Sequence, residues 1–167
     1  MTLDAHHDLR DGISNGSPVR RLIEAGLNPK NIYQIGINDF SNSAEYAELA
    51  RRLGINVISR QGVADIGIEA ACRQALEGAT GQVFVDIDVD VCDRSVVPAC
   101  PASAPGGISA FELRQAARIL ASNKLVVGMD ITEIDASKDS EDGRTVRLGA
   151  LVVLEIVAGY GLRQSGN

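Results

Sequence analysis

The chain has no tryptophan, and aromatic residues make up only 4% of its 167 residues. Single-stranded nucleic acid is bound on stacked aromatic side chains, so a surface of that kind is not expected. Positive charge is also in short supply. Sixteen Lys and Arg face 22 Asp and Glu, for a net charge of −6, the opposite of the basic field that nucleic acid requires. Cysteine is sparse. Cys72, Cys92 and Cys100 are odd in number and show no CxxC spacing, which argues against a disulfide framework or a zinc ribbon. A reducing compartment, the cytoplasm, is the expected location. The sequence shows no apolar run as long as the ~20 residues of a membrane span. It also shows no charged leader followed by an apolar segment. Neither a membrane nor nucleic acid is an expected partner.

What remains is ordinary for a soluble globular protein: 45% hydrophobic and 23% charged residues, with length enough for one domain. Short apolar runs alternate with helix-like segments, which predicts an α/β fold with a parallel sheet. Strands are predicted at Ile32–Ile37, Asn56–Ser59, Gln82–Asp88 and Leu125–Asp130, with Met1–Asp4 as the tail of a further strand. Helices are predicted from Ser17-Pro18 to Ala25, over Ser43–Leu53, Asp65–Glu77, Ser109–Ala121 and Thr145–Ala158. The last is apolar around most of its circumference, so it is expected to be largely buried. Pro98–Gly107 reads as an active-site type of loop directly after an acidic strand.

Two carboxylate clusters carry the chemistry. Asp4-Ala5-His6-His7-Asp8 opens the chain, and Asp86-Ile87-Asp88-Val89-Asp90-Val91-Cys92-Asp93 ends an apolar run. Strand side chains alternate faces, so Asp86, Asp88 and Asp90 point one way, as do Asp4, His6 and Asp8. Both sets fall at the C-terminal ends of strands, where parallel α/β sheets place their ligands. If the two strands are neighbours, Asp4, His6, Asp8, Asp88 and Asp90 share one crevice. Two unit charges ~4 Å apart at an effective dielectric of ~20 repel by about 4 kcal/mol. Divalent cations relieve that repulsion, and oxygen plus imidazole donors suit manganese or its neighbours. Taken singly, each string also reads as a polar loop or a capped turn.

The first cluster resembles the DAHxD signature of the ureohydrolase (arginase/agmatinase/formimidoylglutamase) family. Asp88-Val89-Asp90-Val91-Cys92-Asp93, followed by Pro98 and Gly106-Gly107, is similar to that family's DxDxxDP…P…GG stretch. Gly128-Met129-Asp130-Ile131-Thr132-Glu133 resembles its xDxxE signature. The resemblance implies a three-layer α/β/α sandwich with a mainly parallel sheet, arginase-like and N-terminally truncated, so that residues 1–167 form one partial domain.

It also implies two Mn²⁺ ions, with Asp4 and Asp88 bridging, Asp8 on one ion, and His6 and Asp90 on the other. Asp90, Glu133 and His7 would be catalytic: Glu133 facing the cationic amidine head, His7 tuning the site or donating to a leaving nitrogen. The stretch from Arg10 to Arg20 is similar to the formimidoylglutamase branch. Asn15 stands where arginases carry a proton-shuttling His. Arg10 and Arg20 would grip a diacid tail, since guanidinium pairs with carboxylate in a bidentate way.

The activity implied is hydrolysis of N-formimidoyl-L-glutamate to L-glutamate and formamide, a step of histidine degradation. The expected partners are the small-molecule amidine and other copies of the chain, as a homo-oligomer. Three departures stand out. The family's GGDHS-type motif, with a further metal-binding His, is not in this sequence, whose histidines are His6 and His7. Asp86 takes a position that is often Ser, and Arg94 replaces a common Pro. The missing His predicts weak or absent hydrolysis by this chain alone. Three other readings stay open: a haloacid-dehalogenase-type phosphatase, an agmatinase or guanidinobutyrase, and a non-catalytic fragment.

Overall fold

The computed structural model of the chain describes residues 1–164. Five parallel strands form its centre: β1 (Thr2–Leu3), β2 (Tyr33–Ile37), β3 (Asn56–Ser59), β4 (Val83–Asp88) and β5 (Val126–Thr132), in the order β3-β2-β1-β4-β5. The chain winds outward from β1 to β3, then returns to the other side of β1 for β4 and β5. The direction therefore reverses between β1 and β4. Loops leaving two strands at such a switch point diverge and open a crevice.

The helices follow from caps and apolar stripes. They are α1 (Pro18–Glu24), α2 (Ala44–Leu53), α3 (Arg60–Ile66), α4 (Ile68–Gly78), α5 (Ala110–Ser122) and α6 (Arg144–Gln164). Ser43 accepts a bond from Tyr46 N, and Gly54 closes α2 at a φ of 76°. A capping box of Ser109 and Glu112 starts α5. Ser17 does not cap α1 as expected. Its hydroxyl instead donates to Ser14 O at 2.8 Å and closes the loop before the helix. The helix expected over Asp65–Glu77 is two helices, broken where Gly67 takes a φ of 84°.

Right-handed crossovers dictate which face each helix covers. Helices α1 and α2 link strands running one way across the sheet, and α3, α4 and α5 link strands running the other way, so the two sets lie on opposite faces. The main core fills the second face, where Leu3, Ile35, Val85 and Ile87 meet Leu113, Leu120 and Val152. A smaller cluster of Leu9, Val19, Ile32, Ala50 and Ile55 packs with α1 and α2. The α/β/α layering is as expected, but the outer layer of α1 and α2 does not extend over β4 and β5. Phe84 on that face is 54% exposed.

Helix α6 differs from expectation. It packs along α5 through Leu148, Val152 and Glu155, whose carboxylate takes bonds from Arg114 and Arg118. Its other side is open, with Leu154 63% exposed. In length and composition it would suffice to cross a membrane, a property that the uninterrupted-run criterion did not register.

The site depends on close approach at Gly36. The register of β2 shifts there, φ is 101°, and an added Cβ would lie 2.3 Å from Val91 Cγ2. Only glycine satisfies both the backbone and the space. Gly36→Ala is expected to destabilise the chain by about 3 kcal/mol through strain and overpacking. Gly161→Ala, where the helix surface is open, is expected to be neutral or stabilising by up to about 1 kcal/mol. Urea unfolding of the two variants is the check, and equal midpoints would remove the packing argument.

Candidate metal centre

Register builds the site before any side chain is considered. Thr2 pairs with Asp86 and Leu3 with Ile87, so the residues after β1 and after β4 emerge side by side at the switch point. Asp4 N donates to Ile35 O and Asn38 N to Ala5 O, which fixes the first loop against β2 as well. Strand β4 stops at Asp88. Residues Val89–Val91 form a 3₁₀ turn, initiated by the Asp88 carboxylate accepting from Asp90 N at 2.8 Å. Asp90 thus reaches the crevice through the turn. The continued strand alternation expected from the sequence does not occur.

The two clusters converge. His6 Nδ1 lies 2.6 Å from Asp90 Oδ2 and 3.7 Å from Asp4 Oδ1. Asp90 Oδ1 accepts from Ala5 N at 2.9 Å, and Asp4 Oδ1 from His6 N at 2.6 Å. Asp4, His6 and Asp90 offer one donor atom each, all within 4.8 Å of one another. The other Asp4 oxygen, Oδ2, is buried with no hydrogen-bond partner. A desolvated carboxylate oxygen left bare is costly, and a cation satisfies it. On that atom and that donor set, the residues fit a divalent ion of the manganese type.

Asp8 and Asp88 stand outside that close trio but line the same cleft of about 200 Å³, with His6, His7, Asp90 and Glu133. Asp8 and Glu133 are held at positive φ, 53° and 63°. Non-glycine residues enter that region at a cost of about 1 kcal/mol or more, typically at functional sites.

Charge is strongly coupled here. Asp4 and Asp90 together hold the His6 imidazole protonated, raising its pKa to about 10. Burial pushes Asp4 well above the usual carboxylate range. Burial, then the neighbouring Asp90 charge, lifts Asp88 to about 9 and Asp8 to about 6. Burial lowers His7. Its Nδ1 sits 2.8 Å from Gln34 Oε1 while Gln34 Nε2 donates to His7 O at 3.1 Å. That pairing makes Nδ1 the donor and leaves Nε2 as the free acceptor of a neutral ring.

Of the substrate-binding candidates, Arg10 and Asn15 line the cleft. The Arg10 side chain lies over Gly16, whose added Cβ would be 2.7 Å from Arg10 Cδ. Arg20 is not in the cleft, which corrects the sequence expectation. Its guanidinium is taken up by Asp11 at 2.6 Å, Glu24 at 3.2 Å and Leu9 O at 3.2 Å, so it clamps the loop before α1. Asn42 was not anticipated. It accepts from His7 N and donates to Ala5 O, both at 2.9 Å, stitching the first cluster to the β2–α2 loop. Its only sequence signal is its place just past a strand's C-terminal end. Arg94, in place of the usual proline, donates to Cys100 O at 2.6 Å and ties down the following loop.

Protons occupy this site in the metal-free chain, and the sign of their effect follows. Asp4, Asp88 and His6 all bind protons more tightly folded than unfolded, so stability falls as pH rises. From the values for His6 and Asp88, the loss runs across pH 6–9. The metal-free melting temperature is expected to drop over that window, and Mn²⁺ to reverse the drop by displacing protons. Scanning calorimetry with and without Mn²⁺ tests this; a metal-free midpoint that climbs from pH 6 to 9 contradicts it.

Comparison with known proteins agrees with this geometry. The chain is 37% identical to a formimidoylglutamase of Halalkalibacterium halodurans, over 99% of this chain and 54% of that protein. It superimposes on the crystal structure of Bacillus subtilis formimidoylglutamase with a TM-score of 0.88 at 33% identity, covering 96% of this chain and 52% of that one. The fold is shared too with a Trypanosoma cruzi formiminoglutamase crystallised with Mn²⁺, at a TM-score of 0.90 and 24% identity, covering 97% of this chain and 56% of that one. The chain spans about half the length of the curated relatives it matches. The Arginase family model matches residues 1–159, a span that takes in the aspartate–histidine crevice and Glu133, and the chain belongs to that family.

Proposed function

We propose that this chain carries the metal-binding half of a Mn²⁺-dependent hydrolase of linear amidine C–N bonds, with N-formimidoyl-L-glutamate as substrate. The observation that carries the reading is the Asp4–His6–Asp90 trio with its unpartnered Asp4 oxygen. Support for the substrate comes from relatives at 35–37% identity that are formimidoylglutamases.

Asp4, His6 and Asp90 would hold one ion, and Asp8 and Asp88, with Asp4, the other. Bound divalent cations lower the pKa of water enough to supply hydroxide at neutral pH. The chain's own residues do the rest. Glu133, half-buried at the cleft wall, offers its carboxylate to a cationic amidine. Arg10 pairs with a carboxylate of the substrate tail. His7, neutral through Gln34, accepts or passes a proton at Nε2. The second ion's set has three carboxylates and no imidazole, so it is the weaker site and hydrolysis by this chain alone is slow.

Formamide against urea release separates this reading from an agmatinase or guanidinobutyrase. With Mn²⁺ present, formamide is expected from N-formimidoyl-L-glutamate and no urea from agmatine or 4-guanidinobutyrate. Glu133→Gln is expected to lower the rate by about 100-fold or more, and Asp90→Asn to weaken Mn²⁺ binding at least about 10-fold. Urea release, or turnover indifferent to Mn²⁺, would overturn the proposal.

A further inference from the structure

The sheet face left bare by α1 and α2 carries a second and larger cavity, of about 850 Å³. It runs along β4 and β5 from the turn at Thr80 to Asp86, Asp130 and Glu133, with Leu22 and Leu27 on its α1 side. It meets the metal cleft at Asp8, Asn15, Asp88 and Glu133, which line both.

Four observations describe what fits there. First, the sheet has a slot. Thr2 pairs with Gln34 and Asp86, yet β2 begins one residue before Gln34 and β4 three residues before Asp86. The Met1 ammonium donates to Phe84 O at 3.0 Å, so the parallel ladder is still running where the central strand gives out. An extended backbone continues it. Second, the walls are apolar: Phe84 and Leu22 are more than half exposed. Third, Thr2 is 8% exposed, lines the cavity, and its hydroxyl is buried without a partner. A buried hydroxyl of that kind calls for a polar group of something seated on it. Fourth, Asp86 and Asp130 are cross-strand partners on this face, and like charges set opposite each other are unfavourable. A cationic side chain placed between them removes the conflict.

We infer that this face is a docking surface for one polypeptide: a counterpart of the half of the matched relatives that this chain does not cover. The coverage supports that occupant. The chain accounts for 52% of the B. subtilis formimidoylglutamase chain at a TM-score of 0.88, so the remaining 48% of that chain packs somewhere against the same scaffold. The other sheet face is closed by α3, α4 and α5 over the main core. The occupant extends β1 as a strand, lays apolar side chains on Phe84 and Leu22, and brings a cation to Asp86 and Asp130. This needs no amidine chemistry, and its test reads binding alone.

The 167-residue chain, tagged, is co-expressed with the unmatched part of B. subtilis formimidoylglutamase, and the pair is purified in metal-free buffer containing chelator. The expected result is a one-to-one complex by native mass spectrometry, with amide exchange slowed in Tyr33–Ile37 and Val83–Asp88. Leu22→Asp on the helix surface and Phe84→Arg on the sheet are each expected to weaken the complex at least 10-fold. Leu154→Asp, on the far side of α6, leaves it intact. Circular dichroism confirms that the Leu22 variant is folded, so its loss of binding reports the surface. Absence of any complex with the soluble tagged chain overturns the inference. A homodimer that protects the same two strands also overturns it, because the occupant is then a second copy.

Discussion

The parallel register of β1 against β4 is the constraint on which the rest depends. It sets Asp4 and His6 beside Asp88 and Asp90 at the one place where the sheet reverses its winding. Nothing local would bring these groups together, since His6 and Asp90 are 84 residues apart. Once there, they lie in a poorly solvated crevice where carboxylates cannot all ionise without a cation. In the metal-free chain the His6 imidazolium is that cation, clasped by Asp90 at 2.6 Å. It cannot satisfy Asp4 Oδ2. The arrangement is therefore poised between protons and a metal ion, and the same burial that raises the carboxylate pKa values makes the exchange favourable when metal arrives.

Irregular backbone gathers around this point. Asp8 and Glu133 take positive φ at the two sides of the cleft, and Gly36, Gly16 and Gly107 allow backbone or long side chains to approach where a Cβ would collide. At Gly107 the contact is with the Cys92 backbone itself, 2.2 Å from an added Cβ. That contact holds the Pro98–Gly107 loop down on the turn bearing Asp90. Loops are the least constrained parts of an α/β fold, and here they are pinned by glycine contacts, by Asn42 and by Arg94. A centre that must hold several ligand atoms within an ångström or so needs such support.

Much of this was legible in the sequence. Period-2 apolar runs located every strand to within two residues, because buried parallel strands leave a strong local signal. The ligand set was legible because the carboxylates are clustered in the chain as well as in space. Asp90 was placed correctly for the wrong reason: alternation does not extend past Asp88, and a 3₁₀ turn delivers the side chain. Gln34 and Asn42 were invisible, since their bonds to His7 span 27 and 35 residues and a lone amide has no local pattern. Arg20 misled because two acidic neighbours, Asp11 and Glu24, compete for it. Helix α6 misled in another way. An apolar circumference predicts burial only if every side has a neighbour, and the outer side of α6 has none within this chain.

The handedness of the crossovers explains why the site is shielded on one side only. Helices α3 to α5 must lie on one face of the sheet, and α1 and α2 on the other over β1 to β3. No right-handed connection in this chain places a helix over the second face of β4 and β5. The crevice consequently has a dry floor, where Asp4 and Asp90 are buried, and a wet flank, where Asp130 is exposed. Electrostatic effects scale inversely with the local dielectric, so the floor tunes His6 and Asp88 strongly while water on the flank screens Glu133 and Asp86. Covering that flank would raise the effective strength of every charge facing the substrate. The folding topology thus separates two properties. The ability to hold a cation resides in the covered half of the crevice, and full catalytic strength depends on what closes the other half.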